Sequence, residues 1–221
     1  MRVGVVLLAL LLTACSATGA RQSPSTANSA QFKPKEISVS GPYRHKYLGL
    51  SFPETVGPFT RSNVLQFDAE SADVGANYQT PDGKTFATVY LYPIVGPIAS
   101  IPSDYSVTKT ESDRKCAEFF DGAKDLALRQ YQNSVVREEG PFSLPSRPDY
   151  AGHRLVFDAD HRIAAPGYPS ALRESDGPLT SELYLFCQAG TYWHLKYRFT
   201  YPQGVAAGVM VTELLNGVPA P

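Results

Sequence analysis

The distribution of apolar residues along the chain divides it into three unequal parts. Val3 to Leu12 form an apolar run behind Met1-Arg2, too short for the ~20 residues that span a bilayer. From Ser16 to about Gly41 the residues are mainly Ser, Thr, Ala, Gln and Pro, a composition that cannot bury enough surface to offset the entropy of ordering. Periodic patterns begin after that. Tyr47–Phe52 alternates, and Pro53 and Gly57-Pro58 punctuate the chain before Phe59–Phe67, which predicts two short strands. Ala76–Gln79 and Phe86–Tyr92 flank Thr80-Pro81-Asp82-Gly83-Lys84, a hairpin in which Asp-Gly supplies the positive φ of the turn. Phe86, Thr88, Tyr90 and Tyr92 would share one face of the second strand, and Ala87, Val89 and Leu91 the other.

The pattern then changes period. Residues 112–132 read as a helix capped by Ser112-Asp113, with Glu111 and Asp113 at the positive end of its dipole. Its buried stripe would be Cys116, Phe119, Phe120, Ala123, Ala127 and Tyr131. Strands are predicted at 134–138, 151–159, 181–188 and 192–201, the last two joined at Ala189-Gly190, followed by a helix from about Val205 to Asn216 with Gly217 at C′. Strands in runs, interrupted by one long helix and closed by another, predict an α+β domain with a mostly antiparallel sheet. Three Pro- and Gly-rich loops remain at 93–104, 140–150 and 163–178. The first is unusually apolar, with Ile94, Val95, Ile98 and Ile101.

The apolar N-terminal run ends in Leu12-Thr13-Ala14-Cys15. This segment resembles the lipobox of bacterial lipoproteins, which implies a signal peptide over 1–14, cleavage before Cys15, and acylation of that cysteine. Several acyl chains on one residue hold a protein on a membrane, whereas one does so only reversibly. By the same resemblance, Ser16 rather than Asp after the cysteine implies passage to the outer membrane, with the domain facing the periplasm. Residues 15–41 would then be the lipidated cysteine and a tether of about 28 Å root-mean-square reach, and 42–221 one domain. The order of elements, with phrases such as Leu48-Gly49-Leu50-Ser51-Phe52-Pro53, resembles the PsbP-like fold. That resemblance implies a noncatalytic accessory or interaction module and transfers no functional residue.

Charge and motifs narrow the choice of chemistry. Twenty Lys and Arg, one of them in the signal, stand against 21 Asp and Glu, so no nucleic-acid partner is implied. His45, His153, His161 and His194 lack zinc spacing, and no GxSxG, GxGxxG or P-loop is present, so neither a metal nor a cofactor is expected. Cys116 on the helix stripe and Cys187 on a core-facing strand position would either bridge or remain separate buried thiols; a bridge is permitted in an oxidising envelope. The last strand sets His194, Lys196 and Arg198 against an apolar face, and Arg154 shares a face with Asp158 on its own strand. Two readings of these cations stand: a shallow basic surface for an anionic partner, or a solvated face with cross-strand ion pairs. The expected function is a lipid-anchored envelope protein, bound to membrane lipid through Cys15, that acts as a noncatalytic binding or assembly module for an envelope protein. The alternative is an envelope hydrolase or small-ligand binder whose site is built from loops.

Overall fold

A computed structural model of the chain describes residues 32–93, 108–144, 146–162, 177–187 and 193–218, with the side chains of 147–150 and 162 set aside. The expected signal, Cys15, the Ala189-Gly190 turn and most of the loops after Pro93 and Arg162 lie outside those residues. No helix among the described residues is long and apolar enough to cross a membrane.

The fold is α+β, as the patterning predicts. The strands are β1 (Lys35–Glu36), β2 (Tyr43–Arg44), β3 (Ser51–Phe52), β4 (Thr55–Val56), β5 (Phe59–Gln66), β6 (Val74–Gln79), β7 (Phe86–Pro93), β8 (Tyr131–Gln132), β9 (Val135–Leu144), β10 (Arg147–Ala159), β11 (His161–Arg162), β12 (Leu179–Cys187) and β13 (Trp193–Pro202). The helices are α1 (Lys109–Arg129) and α2 (Gly208–Gly217). Among the described residues, one antiparallel sheet of nine strands runs β1-β5-β6-β7-β13-β12-β10-β9, with β4 added to β5. The hairpin at 80–85 closes as expected, with Gly83 at φ 66° and its N–H donating to the Thr80 carbonyl at 2.9 Å.

Each face of the sheet carries its own core. On one face Tyr184, Phe186, Tyr197, Phe199, Val89 and Val74 pack with Val211, Leu214 and Leu215 of α2. On the other, Cys116, Phe120, Ala127 and Tyr131 pack on Leu155, Phe157, Leu179, Leu183 and Leu185. The helix α1 therefore rests on β10 and β12. Cys116 and Cys187 are joined in a disulfide with Cα atoms 5.8 Å apart, which ties its second turn to the end of β12.

Several boundaries differ from the expectation, each for a physical reason. The compact unit begins at Phe32, not at residue 42, because Lys35 and Glu36 pair with β5 and the Ile37 N–H donates to the Val64 carbonyl at 2.8 Å. Tyr47–Phe52 is not one strand: the chain turns between β2 and β3, with Gly49 at φ 62° and its N–H bonded to the His45 carbonyl. The helix starts a turn early, capped by Thr108, whose side chain accepts from the Glu111 N–H at 3.2 Å. That is the first half of a Thr-x-x-Glu capping box. Residues 140–150 are largely strand: β9 runs through Gly140 and Pro141, which an edge strand tolerates. Gly217 is the last residue of α2, not a left-handed C′ position, and it is glycine because a Cβ there would lie 2.2 Å from Val56 Cγ1.

The disulfide closes a separation of 71 residues, for which the chain-entropy account gives a stabilisation of about 4 kcal/mol at most. Denaturation with and without reductant should therefore show a lower midpoint for the reduced protein. Equal midpoints, or two thiols free to alkylate before reduction, would contradict the bridge.

Candidate functional site

Alternation along β13 sets His194, Lys196, Arg198 and Thr200 on the α1 side of the sheet, and the ladder aligns them with β7. His194 lies opposite Tyr92, Lys196 opposite Tyr90, and Arg198 opposite Thr88; Tyr90 in turn faces Gly75 of β6, and Thr88 faces Asn77. Because α1 rests on β10 and β12, it leaves this half of the face only partly covered. A cleft of about 620 Å³ opens there, bounded by Phe67, Asp73, Tyr90, Tyr92 and Lys196 from the sheet and Phe119, Gly122, Ala123 and Leu126 from the helix. An enclosed extension of about 110 Å³ continues beneath the helix to Tyr131, Arg198 and Thr200.

The wall of the cleft is apolar and partly wet. Phe119 is 40% exposed and Leu126 54%, so Phe119 does not belong to the buried stripe in which the spacing had placed it. Two exposed apolar side chains on the same helix flank, facing two tyrosines, form a patch of the kind that marks binding surfaces.

The four cations expected to form one basic surface do not do so. Arg154 points to the opposite face, where its guanidinium donates to Glu138 at 2.8 Å and to Glu182 at 3.0 Å. Glu182 is 4% exposed, yet it is satisfied, since it also accepts from the Tyr184 and Tyr201 hydroxyls at 2.5 Å each. Arg198 is engaged by the end of α1: it donates to Gln130 Oε1 at 2.8 Å and lies over the Tyr131 ring at 5.1 Å. A cation at a helix C-terminus also meets the negative end of the dipole.

His194 is fully buried, edge-on to Tyr92 and 4.4 Å from the Phe119 ring, and neither ring nitrogen has a hydrogen-bond partner. Burial, with a smaller contribution from Lys196, pushes its imidazole down to about 4. It is a neutral ring buried against Phe119 and Tyr92 rather than part of a basic patch.

Lys196 differs from its neighbours. Its ammonium lies 4.3 Å from the Tyr90 ring centroid and 5.3 Å from that of Tyr92, within cation–π range, but has no hydrogen-bond acceptor or ion pair among the described residues. Burial lowers it to about 8, with Arg198 adding to the shift and Asp73 opposing it. Asp73, just before β6, also has no direct ion pair among the described residues, and burial beside Asp68 raises its carboxyl to about 6. Perturbed groups gathered in a cleft are a recognised mark of a functional site.

Sequence reasoning missed Asp73, Leu126, Gly122 and the tyrosine pair as site residues. The alternation of Tyr90 and Tyr92 opposite a basic strand was the available signal. It also overlooked the SxxK spacing of Ser112-Asp113-Arg114-Lys115. The Ser112 hydroxyl is buried with no partner, and Lys115 is engaged by Glu111 at 3.2 Å, so the pair does not form an activated nucleophile. His153 stacks on Phe120 and His161 is exposed on β11; neither borders the cleft.

The low pKa of His194 has a stability consequence of definite sign. The unfolded chain takes up this proton near pH 6.5, the folded one only near pH 4, so the contribution of the neutral ring is complete above pH 6.5 and is lost as pH falls toward 4. Asp73 acts oppositely, since its raised pKa makes the fold lose stability as pH rises from 3.8 to about 6. His194→Phe should reduce the acid-side loss between pH 6.5 and 4 by at most about 3 kcal/mol. Chemical denaturation at stepped pH reads this, and an unaltered slope would assign the loss to other groups.

No protein-family model matches this chain and no curated protein does, so the reading of the cleft rests on its own residues.

Proposed function

We propose that this chain is a lipid-anchored envelope protein whose α+β domain is a noncatalytic binding module, with the cleft between α1 and β7–β13 as its ligand site. The Leu12-Thr13-Ala14-Cys15 segment behind a short apolar run supports the anchor. Cleavage before Cys15 and its acylation would leave residues 16–31 as a tether ahead of the compact unit, on the periplasmic side of the outer membrane. The resemblance of the element order to the PsbP-like fold points toward an accessory role.

The observation that carries the binding role is the cleft itself: an open apolar flank of α1 facing a lysine held over two tyrosines, with no carboxylate of the described residues within ion-pair distance. Stability alone gives no reason to leave Phe119 and Leu126 exposed beside a half-buried ammonium that has no ion pair among the described residues. Of the alternative open from the sequence, an envelope hydrolase or small-ligand binder, this supports the small-ligand binder, since no histidine stands beside a carboxylate among the described residues that line the cleft.

Cys15→Ser tests the anchor. The native chain should take up labelled palmitate and fractionate with membranes, whereas the variant should lose the label and appear in the soluble fraction. Membrane retention without label would contradict the proposal.

A further inference from the structure

The charges in the cleft restrict what it holds. Lys196 and Asp73 are near enough for each to shift the other's proton affinity, yet they form no ion pair with one another. The remaining charged groups nearby are already engaged. Glu118, at the rim, is bridged by Arg114 on the same helix, and Arg198 is held by Gln130. One cation and one anion without an ion pair among the described residues therefore border a single cavity, each partly removed from water.

The shape is maintained by small residues. Gly75 lies between Phe67 and Tyr90, where a Cβ would come within 3.1 Å of both. Gly122 lies inside α1, where glycine costs about 1 kcal/mol relative to alanine. A Cβ there would meet nothing within 4 Å, so packing gives no reason for its absence. With Ala123 beside it, the helix flank is cut back where it faces the cleft. A cleft of about 620 Å³ lies within the range of sites that hold one small ligand.

Resting on the reading of the cleft as the ligand site, we infer that it takes a single-chain zwitterionic amphiphile of the monoacyl phospholipid class: phosphate against Lys196, ammonium against Asp73 and the faces of Phe67 and Tyr90, and acyl chain along Phe119, Ala123 and Leu126. An amphiphile with only a negative head would meet the Asp73 carboxylate, and one with only a positive head would meet Lys196. Only a head group with both signs pairs both charges. The ammonium gains cation–π attraction from the same rings that line the floor, and the chain covers the exposed helix flank.

The test uses the full chain carrying Cys15→Ser, in detergent-free buffer, titrated calorimetrically below the micelle concentration with lauroyl lysophosphatidylethanolamine, laurate and dodecylamine in turn. The zwitterion should bind at least tenfold more tightly than either singly charged amphiphile. Lys196→Gln and Asp73→Asn should each weaken it at least tenfold. Gly122→Leu should abolish binding without lowering the unfolding midpoint, which keeps the test decisive if a charge variant fails to fold. If laurate or dodecylamine binds as tightly as the zwitterion and Gly122→Leu still blocks it, the zwitterionic head group is wrong while the cleft remains a ligand site. If none of the three binds, the ligand-site reading falls as well. Binding that survives Gly122→Leu unchanged places the amphiphile elsewhere and overturns the inference.

Discussion

A wide antiparallel sheet has two faces to cover, and the position of α1 decides how that is done here. The helix is held to β12 by the Cys116–Cys187 disulfide and by the packing of Phe120 and Ala127 on Leu155, Leu183 and Leu185. Seated there, it covers β10 and β12, reaches β7 only where Phe119 meets Tyr92, and leaves a cleft over the rest of β7 and Lys196. The opposite face needs no such compromise, because α2 and the short N-terminal strands close it with a continuous apolar core. The cleft follows from one helix being placed off-centre on one face.

That placement also sorts the charges. Arg154 and Glu182 lie on the closed face, where two tyrosine hydroxyls satisfy Glu182 and a second glutamate pairs Arg154, leaving only the Arg154 Nε without a partner among the described residues. Arg198 lies under the end of α1 and meets its C-terminal groups. His194 lies under Phe119 and is kept neutral. Lys196 falls where the helix no longer reaches, over two rings and beside a carboxylate it does not touch. Three basic residues on one strand face thus have three different surroundings, and only the middle one has no hydrogen bond or buried neutral state to account for it among the described residues.

How far this was legible in the sequence depends on the range of the interaction. The long strands, the 80–85 hairpin, the buried Cys116, Phe120 and Ala127 of the helix stripe and the core orientation of both cysteines follow from local periodicity and are present, whereas Phe119 faces the cleft and the helix ends at Arg129, leaving Tyr131 in β8. The start of α1 was readable in Thr108-x-x-Glu111 and was displaced by a competing Ser-Asp pair. The character of Gly217 was not readable, since it depends on Val56, far away in the chain. The same holds for the site. Alternation placed His194, Lys196 and Arg198 on one face, but whether that face met water, a helix or a cleft depended on where α1 docked. The expected surface shared with Arg154 failed because a strand two positions across the sheet set Arg154 on the other side.

The central claim is that the uncovered half of this face receives an acyl chain against the flank of α1. Intermolecular nuclear Overhauser effects between an isotopically labelled Cys15→Ser chain and unlabelled lauroyl lysophosphatidylethanolamine report that contact directly. The account predicts cross-peaks from the acyl methylenes to the Leu126 methyls and the Phe119 ring. Cross-peaks confined to residues outside the cleft, with Leu126 and Phe119 silent, would contradict it.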